Sequence, residues 1–134
     1  MRIGDLAAQF GLPTRTIRFY ERKGLLPEPQ RLPNGYRVYD QTAADRVGFI
    51  RRAQTAGLTL AEIRSILDVR AEGQAPCAHV NDLLDAKLRE VDQRMAELKA
   101  LRTDLKALVD HSKTLDPANC TAGEICHIFQ PSNP

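Results

Sequence analysis

VNDLLDAKLREVDQRMAELKALRTDLKALVD, residues Val80 to Asp110, contains neither proline nor glycine. Leu84, Leu88, Val91, Met95 and Leu98 recur in it at spacings of four and three, which is a heptad seam on a helix. Leu101, Leu105 and Leu108 carry the seam on, with one shift of phase after Leu98. A helix from Val80 to His111 would be roughly 48 Å long. One narrow apolar stripe on so long a helix has little of the remaining chain to cover it. A helix folded back on its own chain would find only short segments as partners. The same stripe on a second copy covers it fully, so the spacing predicts a dimerisation helix.

The chain has 134 residues, enough for one ordinary domain or a small domain with an extension. No apolar run reaches the length of a membrane span, and the N-terminus lacks a charged-then-apolar signal segment. A cytoplasmic protein with no membrane partner is expected. The three cysteines, Cys77, Cys120 and Cys126, are an odd set in a non-secreted chain, which argues against a disulfide framework. Charge is uneven. Residues 1–70 carry a net +5 and residues 71–134 a net −3, so a basic head suited to a polyanion precedes an acidic tail. No nucleophile–base arrangement, phosphate-cradling glycine loop or paired carboxylates in a cleft can be read, so an enzyme is not expected.

Taken in order, Ile3, Leu6, Ala7 and Phe10 fit one face of a short helix that Gly11 ends. Pro13 suits the first turn of a second helix, Thr14 to about Lys23. That helix turns Ile17 inward and places Arg15, Arg18 and Arg22 on its other face. The pair reads as a helix-turn-helix. Gly24, Pro27, Pro29 and Pro33 then forbid helix. Asn34-Gly35 predicts a two-residue hairpin turn, with Tyr36 to Tyr39 as a short strand of a wing. Asp40 to Thr42 caps a third helix that runs to about Ala56. Thr59-Leu60-Ala61-Glu62 is a capping box opening a fourth. Residues 71–76 form a linker, and Cys77 is expected just before the long helix. Residues 112–126 read as a loop, Ile125 to Phe129 as one short turn, and Gln130 to Pro134 as a tail.

The run Thr16-Ile17-Arg18-Phe19-Tyr20-Glu21-Arg22-Lys23-Gly24-Leu25-Leu26, followed by Asn34-Gly35-Tyr36-Arg37-Val38-Tyr39, closely resembles the MerR family of bacterial transcription regulators. The likeness continues through Gly57-Leu58-Thr59-Leu60-Ala61-Glu62-Ile63 into the long helix and covers roughly residues 1–111. It implies a mainly α fold: a winged helix-turn-helix DNA-binding domain with connecting helices (residues 1–71), a linker and antiparallel coiled-coil dimerisation helix (72–111), and a C-terminal metal-binding loop and tail (112–134). It also implies a homodimer on promoter DNA whose spacer is too long. Effector binding would distort that DNA so that RNA polymerase can engage both promoter elements.

By the same resemblance, Thr14, Arg15, Arg18 and Tyr20 face the major groove or its phosphates, and Tyr36 and Arg37 of the wing grip the flanking backbone. The chemistry agrees: arginine offers paired donors to guanine edges or phosphates, and tyrosine a hydroxyl and a flat ring. Arg51 and Arg52 reach phosphates or solvent; Arg64 reads as solvated.

The cysteines form a second set. Cys77 precedes the long helix, and Cys120 lies nine residues past His111, a reach of at most ~30 Å. An antiparallel dimer lays one helix's start beside its partner's end, so Cys77 of one subunit can meet Cys120 and Cys126 of the other, giving two three-thiolate sites. Such sites suit zinc, cadmium, lead or mercury. His127, His111 or His79 could supply a fourth ligand, with His127 preferred. In metal-sensing members a cysteine at the place of Cys77 goes with divalent ions, and Cys126-His127-Ile128 is similar to the final loop cysteine. The first loop cysteine usually closes the long helix, where this chain has Ser112, and Cys120 replaces it from within a longer loop. Zinc or cadmium ranks first because histidines are at hand, with mercury or lead next. The alternative is a redox- or electrophile-responsive regulator of the same family, in which Cys120 or Cys126 is modified rather than metallated.

Overall fold

The computed structural model describes residues 1–129, so the expected tail from Gln130 lies outside the described residues. In chain order the elements are α1 (Ile3–Gln9), α2 (Thr14–Arg22), β1 (Gln30–Arg31), β2 (Arg37–Val38), α3 (Gln41–Thr55), α4 (Leu60–Ala71) and α5 (Cys77–Lys113). Two single 3₁₀ turns follow, Pro117–Asn119 and His127–Phe129. The chain forms two compact units, Met1–Leu88 and the part from Arg89 onward. Among the described residues no helix is long and apolar enough to cross a membrane.

The first unit is built around an aliphatic core. Leu6 of α1, Ile17 of α2, Leu25, Val47 and Ile50 of α3 and Ile63 of α4 are fully buried. Each such side chain contributes about 1.5–3 kcal/mol relative to exposure. Val80 and Leu83, from the first turns of α5, pack against the same core. Those turns are tied down by polar contacts as well. Lys87 Nζ lies 3.2 Å from Glu62 Oε1, and Ser65 Oγ lies 2.8 Å from His79 Nε2.

Helix ends follow the sequence signals. Asp40 accepts from the Ala43 N–H at 3.0 Å and starts α3. The capping box at α4 closes in both directions: the Thr59 N–H donates to Glu62 Oε1 at 2.9 Å and the Glu62 N–H to Thr59 Oγ1 at 3.1 Å. The Thr59 N–H, helped by Lys87, holds the Glu62 carboxyl below its ordinary pKa. At the close of α2, Gly24 adopts φ +74°, and the Leu25 N–H turns back to the Tyr20 carbonyl at 2.9 Å. That reversal needs the left-handed region glycine enters without penalty, and it delivers Leu25 into the core.

The wing differs from expectation at its tip. β1 and β2 pair antiparallel with Gln30 opposite Val38 and Arg31 opposite Arg37. The Leu32 N–H bonds the Tyr36 carbonyl and the Gly35 N–H bonds the Leu32 carbonyl, both at 2.8 Å. The connection is therefore Pro33-Asn34-Gly35, three residues rather than two. A two-residue type I′ turn requires positive φ at Asn34 as well as Gly35. Among the described residues only glycines take it, Gly35 at +86°. Asn34 instead accepts from the Tyr36 N–H at 3.1 Å, an Asx turn that orients Tyr36.

α5 is one unbroken helix of 37 residues with none buried. It starts three residues before Val80, so Cys77 is its first residue rather than its predecessor, and it runs through Ser112. Leu84, Val91, Leu98 and Leu105 fall at intervals of seven, and so do Leu88, Met95, Arg102 and Val109. Leu88 is 60% and Met95 64% exposed, and Val109 51%, whereas Leu108 is half-buried. An unshifted stripe reaches Val109 with Arg102 as its polar position, and Leu101, on the expected shifted seam, is equally exposed at 51%. A Glu90–Arg94 pair at 3.0 Å supports the outer face.

Candidate nucleic-acid interface and ion-binding loop

Thr14, Arg15 and Arg18 are exposed on α2. Beside them, Arg18, Arg22, Arg31 and Arg37 line a cleft of about 330 Å³ between α2 and the wing, with Glu21 and Glu28 the acidic residues in it. Four guanidiniums against two carboxylates favour an anion, as duplex phosphates require. Tyr36 is 53% exposed at the wing tip.

Two residues of the expected set have more defined roles. Tyr20 leaves the outward face: it is 2% exposed, and its hydroxyl donates to Gln54 Oε1 of α3 at 2.9 Å. One helical position separates the core face from the outer one, and Gln54 supplies the polar partner that lets a tyrosine be buried. Arg37 is half-buried and pairs with Glu21 at 3.4 Å. The Glu21 carboxylate also accepts from the Tyr39 hydroxyl. Burial, reinforced by Glu21, pushes the Tyr39 hydroxyl up to about 12. Glu21 therefore clamps the wing strand to α2 and sets where Arg37 points.

Two basic residues were missed or misplaced by sequence reasoning. The Arg2 guanidinium lies 4.6 Å from the Tyr36 ring centroid, a cation–π contact. It shares a cleft of about 480 Å³ with Arg18, Tyr36 and Arg37. Arg2 precedes α1 and carries no motif, so nothing in the sequence pointed to it. Arg64, read as solvated, is exposed but bonds the Lys23 carbonyl at 3.5 Å, beside the end of α2.

The second candidate site lies in the loop after α5. Asp116 caps a turn with Pro117 at its start, its side chain accepting from the Ala118 N–H at 2.9 Å. The Cys120 N–H closes on Pro117 at 3.2 Å, and the Glu124 N–H on Thr121 at 3.0 Å. The second turn brings Glu124 back to Cys120, with Sγ 3.9 Å from Oε2. His127 joins them: ligand atoms of Cys120, Glu124 and His127 all lie within 4.8 Å of one another. All three are half-buried. Cys126 stands outside this group, beside a cleft with Gly123, Ile125 and Phe129. Cys77 is exposed in the first unit. The structure thus gathers Cys120 and His127 of the expected set and adds Glu124. The Cys120-x3-Glu124-x2-His127 spacing held that signal, but only the two turns make it a cluster.

A short helix pair with exposed arginines, a basic wing and an uncovered heptad stripe define a winged helix-turn-helix regulator. Residues 1–69 match the MerR HTH family regulatory protein domain and residues 44–108 the MerR, DNA binding domain; the chain belongs to the MerR family of transcriptional regulators, which are not enzymes. It is 39% identical over 117 residues to the mercuric resistance operon regulatory protein of Bacillus cereus, covering 85% of this chain and 89% of that one. The crystal structure of PbrR691 from Ralstonia metallidurans CH34 in complex with lead(II) superposes with a TM-score of 0.78 at 40% identity, covering 96% of each chain. MerR from Bacillus megaterium MB1 in complex with mercury(II) gives a TM-score of 0.65 at 31% identity, covering 95% of this chain and 92% of that one.

Proposed function

We propose that this chain is a metal-responsive transcriptional regulator acting as a homodimer on promoter DNA. Thr14, Arg15 and Arg18 of α2 meet the major groove or its phosphates, and Tyr36 and Arg37 hold the flanking backbone. The exposed stripe of α5 pairs antiparallel with its copy. That places Cys77 of one protomer near Cys120 and Cys126 of the other, with His127 as a further ligand. The observation that carries the reading is the Cys120–Glu124–His127 donor group in the loop following α5. A sulfur–oxygen–nitrogen set suits zinc or cadmium first. The lead- and mercury-bound relatives support the wider class of soft divalent ions. Ion binding by both protomers would be felt by two DNA-holding heads at once, distorting the promoter so that RNA polymerase engages it.

In-vitro transcription from the cognate promoter, across zinc, cadmium, lead and mercury, tests this. At least one ion should change transcription by the wild-type dimer, and Cys77→Ser and Cys120→Ser should abolish the change. No ion-dependent change would refute the proposal. Thiols that stay equally reactive with and without these ions would favour modification chemistry instead.

A further inference from the structure

Arg2 stands where the entry to α1 meets the wing, and its backbone is fixed from both sides. The Tyr39 N–H donates to the Met1 carbonyl at 2.8 Å, and the Met1 nitrogen donates to the Tyr39 carbonyl at 2.9 Å. On the other side the Arg2 N–H donates to Asp5 Oδ2 at 3.1 Å, and the Arg2 carbonyl accepts from the Leu6 N–H at 3.1 Å. The side chain is held as well. Its guanidinium carbon lies 4.6 Å from the centroid of the Tyr36 ring, and Asn34 fixes Tyr36 in turn by accepting its N–H. A guanidinium over an aromatic face keeps N–H donors free for an oxygen ligand. Among the described residues neither Arg2 nor Arg18 makes an ion pair, whereas Arg37, in the same cleft, shares its charge with Glu21. Gly4 and Gly35 also line this cleft, and a side-chain carbon at either would meet nothing within 4 Å. The approach to Arg2 is therefore open.

We propose that Arg2 is a DNA-binding residue: held on the Tyr36 ring, it grips a backbone phosphate at the flank of the groove that α2 enters, with Tyr36 as its platform. This rests on the reading of α2 and the wing as the operator-binding face. Charge supports a phosphate. Three arginines line the cleft against one carboxylate, Asp5, and the Asp5 oxygen is engaged by a backbone N–H. Position supports it too, since Arg2 lies outside the helix that reads the groove. A side chain already held in place gives up less freedom on binding. Phosphate contacts set register and affinity but carry no sequence information. Arg2 thus adds strength to binding without adding choice of operator.

The test is fluorescence anisotropy of the full-length protein on an operator duplex and on an unrelated duplex of equal length, over a range of salt. Arg2→Ala should weaken both complexes by the same factor and lower the slope of log affinity against log salt by about 1. The gap between wild type and variant should therefore close about threefold from about 50 to about 200 mM salt. Arg2→Lys, which keeps the charge, should retain the slope. In a Tyr36→Leu background, Arg2→Ala should cost less than it does in wild type, because the platform is already gone. Equal affinity and slope in Arg2→Ala and wild type would overturn the proposal and leave the operator-binding reading standing. A loss confined to the operator, with the slope intact, would mean that Arg2 reads base edges and would overturn the phosphate assignment. Additive effects of the two substitutions would overturn the role of Tyr36 as platform. A wild-type protein that binds neither duplex would sink both this proposal and the function it rests on.

Discussion

Tyr39 and Glu21 are joined across the DNA-facing unit: the hydroxyl of a buried wing tyrosine donates to a carboxylate on α2. Burial, reinforced by the bond to Glu21, holds the proton on Tyr39, whose pKa rises from 10.0 to about 12. The folded state therefore keeps a proton that the unfolded chain releases first. Stability from this contact is whole below about pH 10 and falls as pH climbs to about 12. Urea melts from pH 8 to 11.5 should show that decline. Tyr39→Phe should flatten it and cost about 1–3 kcal/mol at neutral pH, as for a bond to a charged acceptor. An unchanged alkaline slope in the variant would show that another group is responsible.

Arg18 lines both clefts beside the wing. Arg18→Ala should weaken operator binding and reduce the slope of log affinity against log salt by about 1 if it contacts a phosphate. Fluorescence anisotropy at several salt concentrations measures both. Unaltered affinity and slope would remove Arg18 from the interface.

Tyr20 offers the complementary control. Its hydroxyl bonds Gln54 inside the protein, so Tyr20→Phe should lower stability by about 1 kcal/mol and leave the salt dependence of operator binding as it was. A reduced salt slope would instead mean that the hydroxyl reaches phosphate in the complex.

Arg102 interrupts the exposed stripe between Met95 and Val109. Replacing Met95 with Asp should shift the protein toward monomer in sedimentation equilibrium, since a charge would be buried against the partner's stripe. Arg102→Leu should tighten the dimer while weakening its choice of register, because single polar core positions trade stability for specificity. A Met95→Asp protein that stays dimeric would place the interface elsewhere.

Most of the fold was legible because its signals are local. Asp40, the Thr59–Glu62 box and the glycines after α2 and α3 mark helix ends through bonds spanning a few residues. What escaped reading depended on residues far away in sequence. Tyr20 lies next to an exposed helical face, and only Gln54, 34 positions on, shows that its ring turns inward. Val109 is exposed where the leucine spacing pointed to Leu108, which is half-buried. Glu124 was overlooked because a loop carboxylate has no pattern of its own until the Asp116–Pro117 turn folds it onto Cys120. The cysteines were read by number and reach, which could not anticipate that Cys126 sits apart from the Cys120 cluster.

Neighbouring residues on α4 face opposite duties. Arg64 reaches back to the Lys23 carbonyl just past α2, while Ser65 touches His79 on the first turn of α5, two residues from Cys77. Two adjacent residues of α4 therefore link the first turn of α5 to the end of α2.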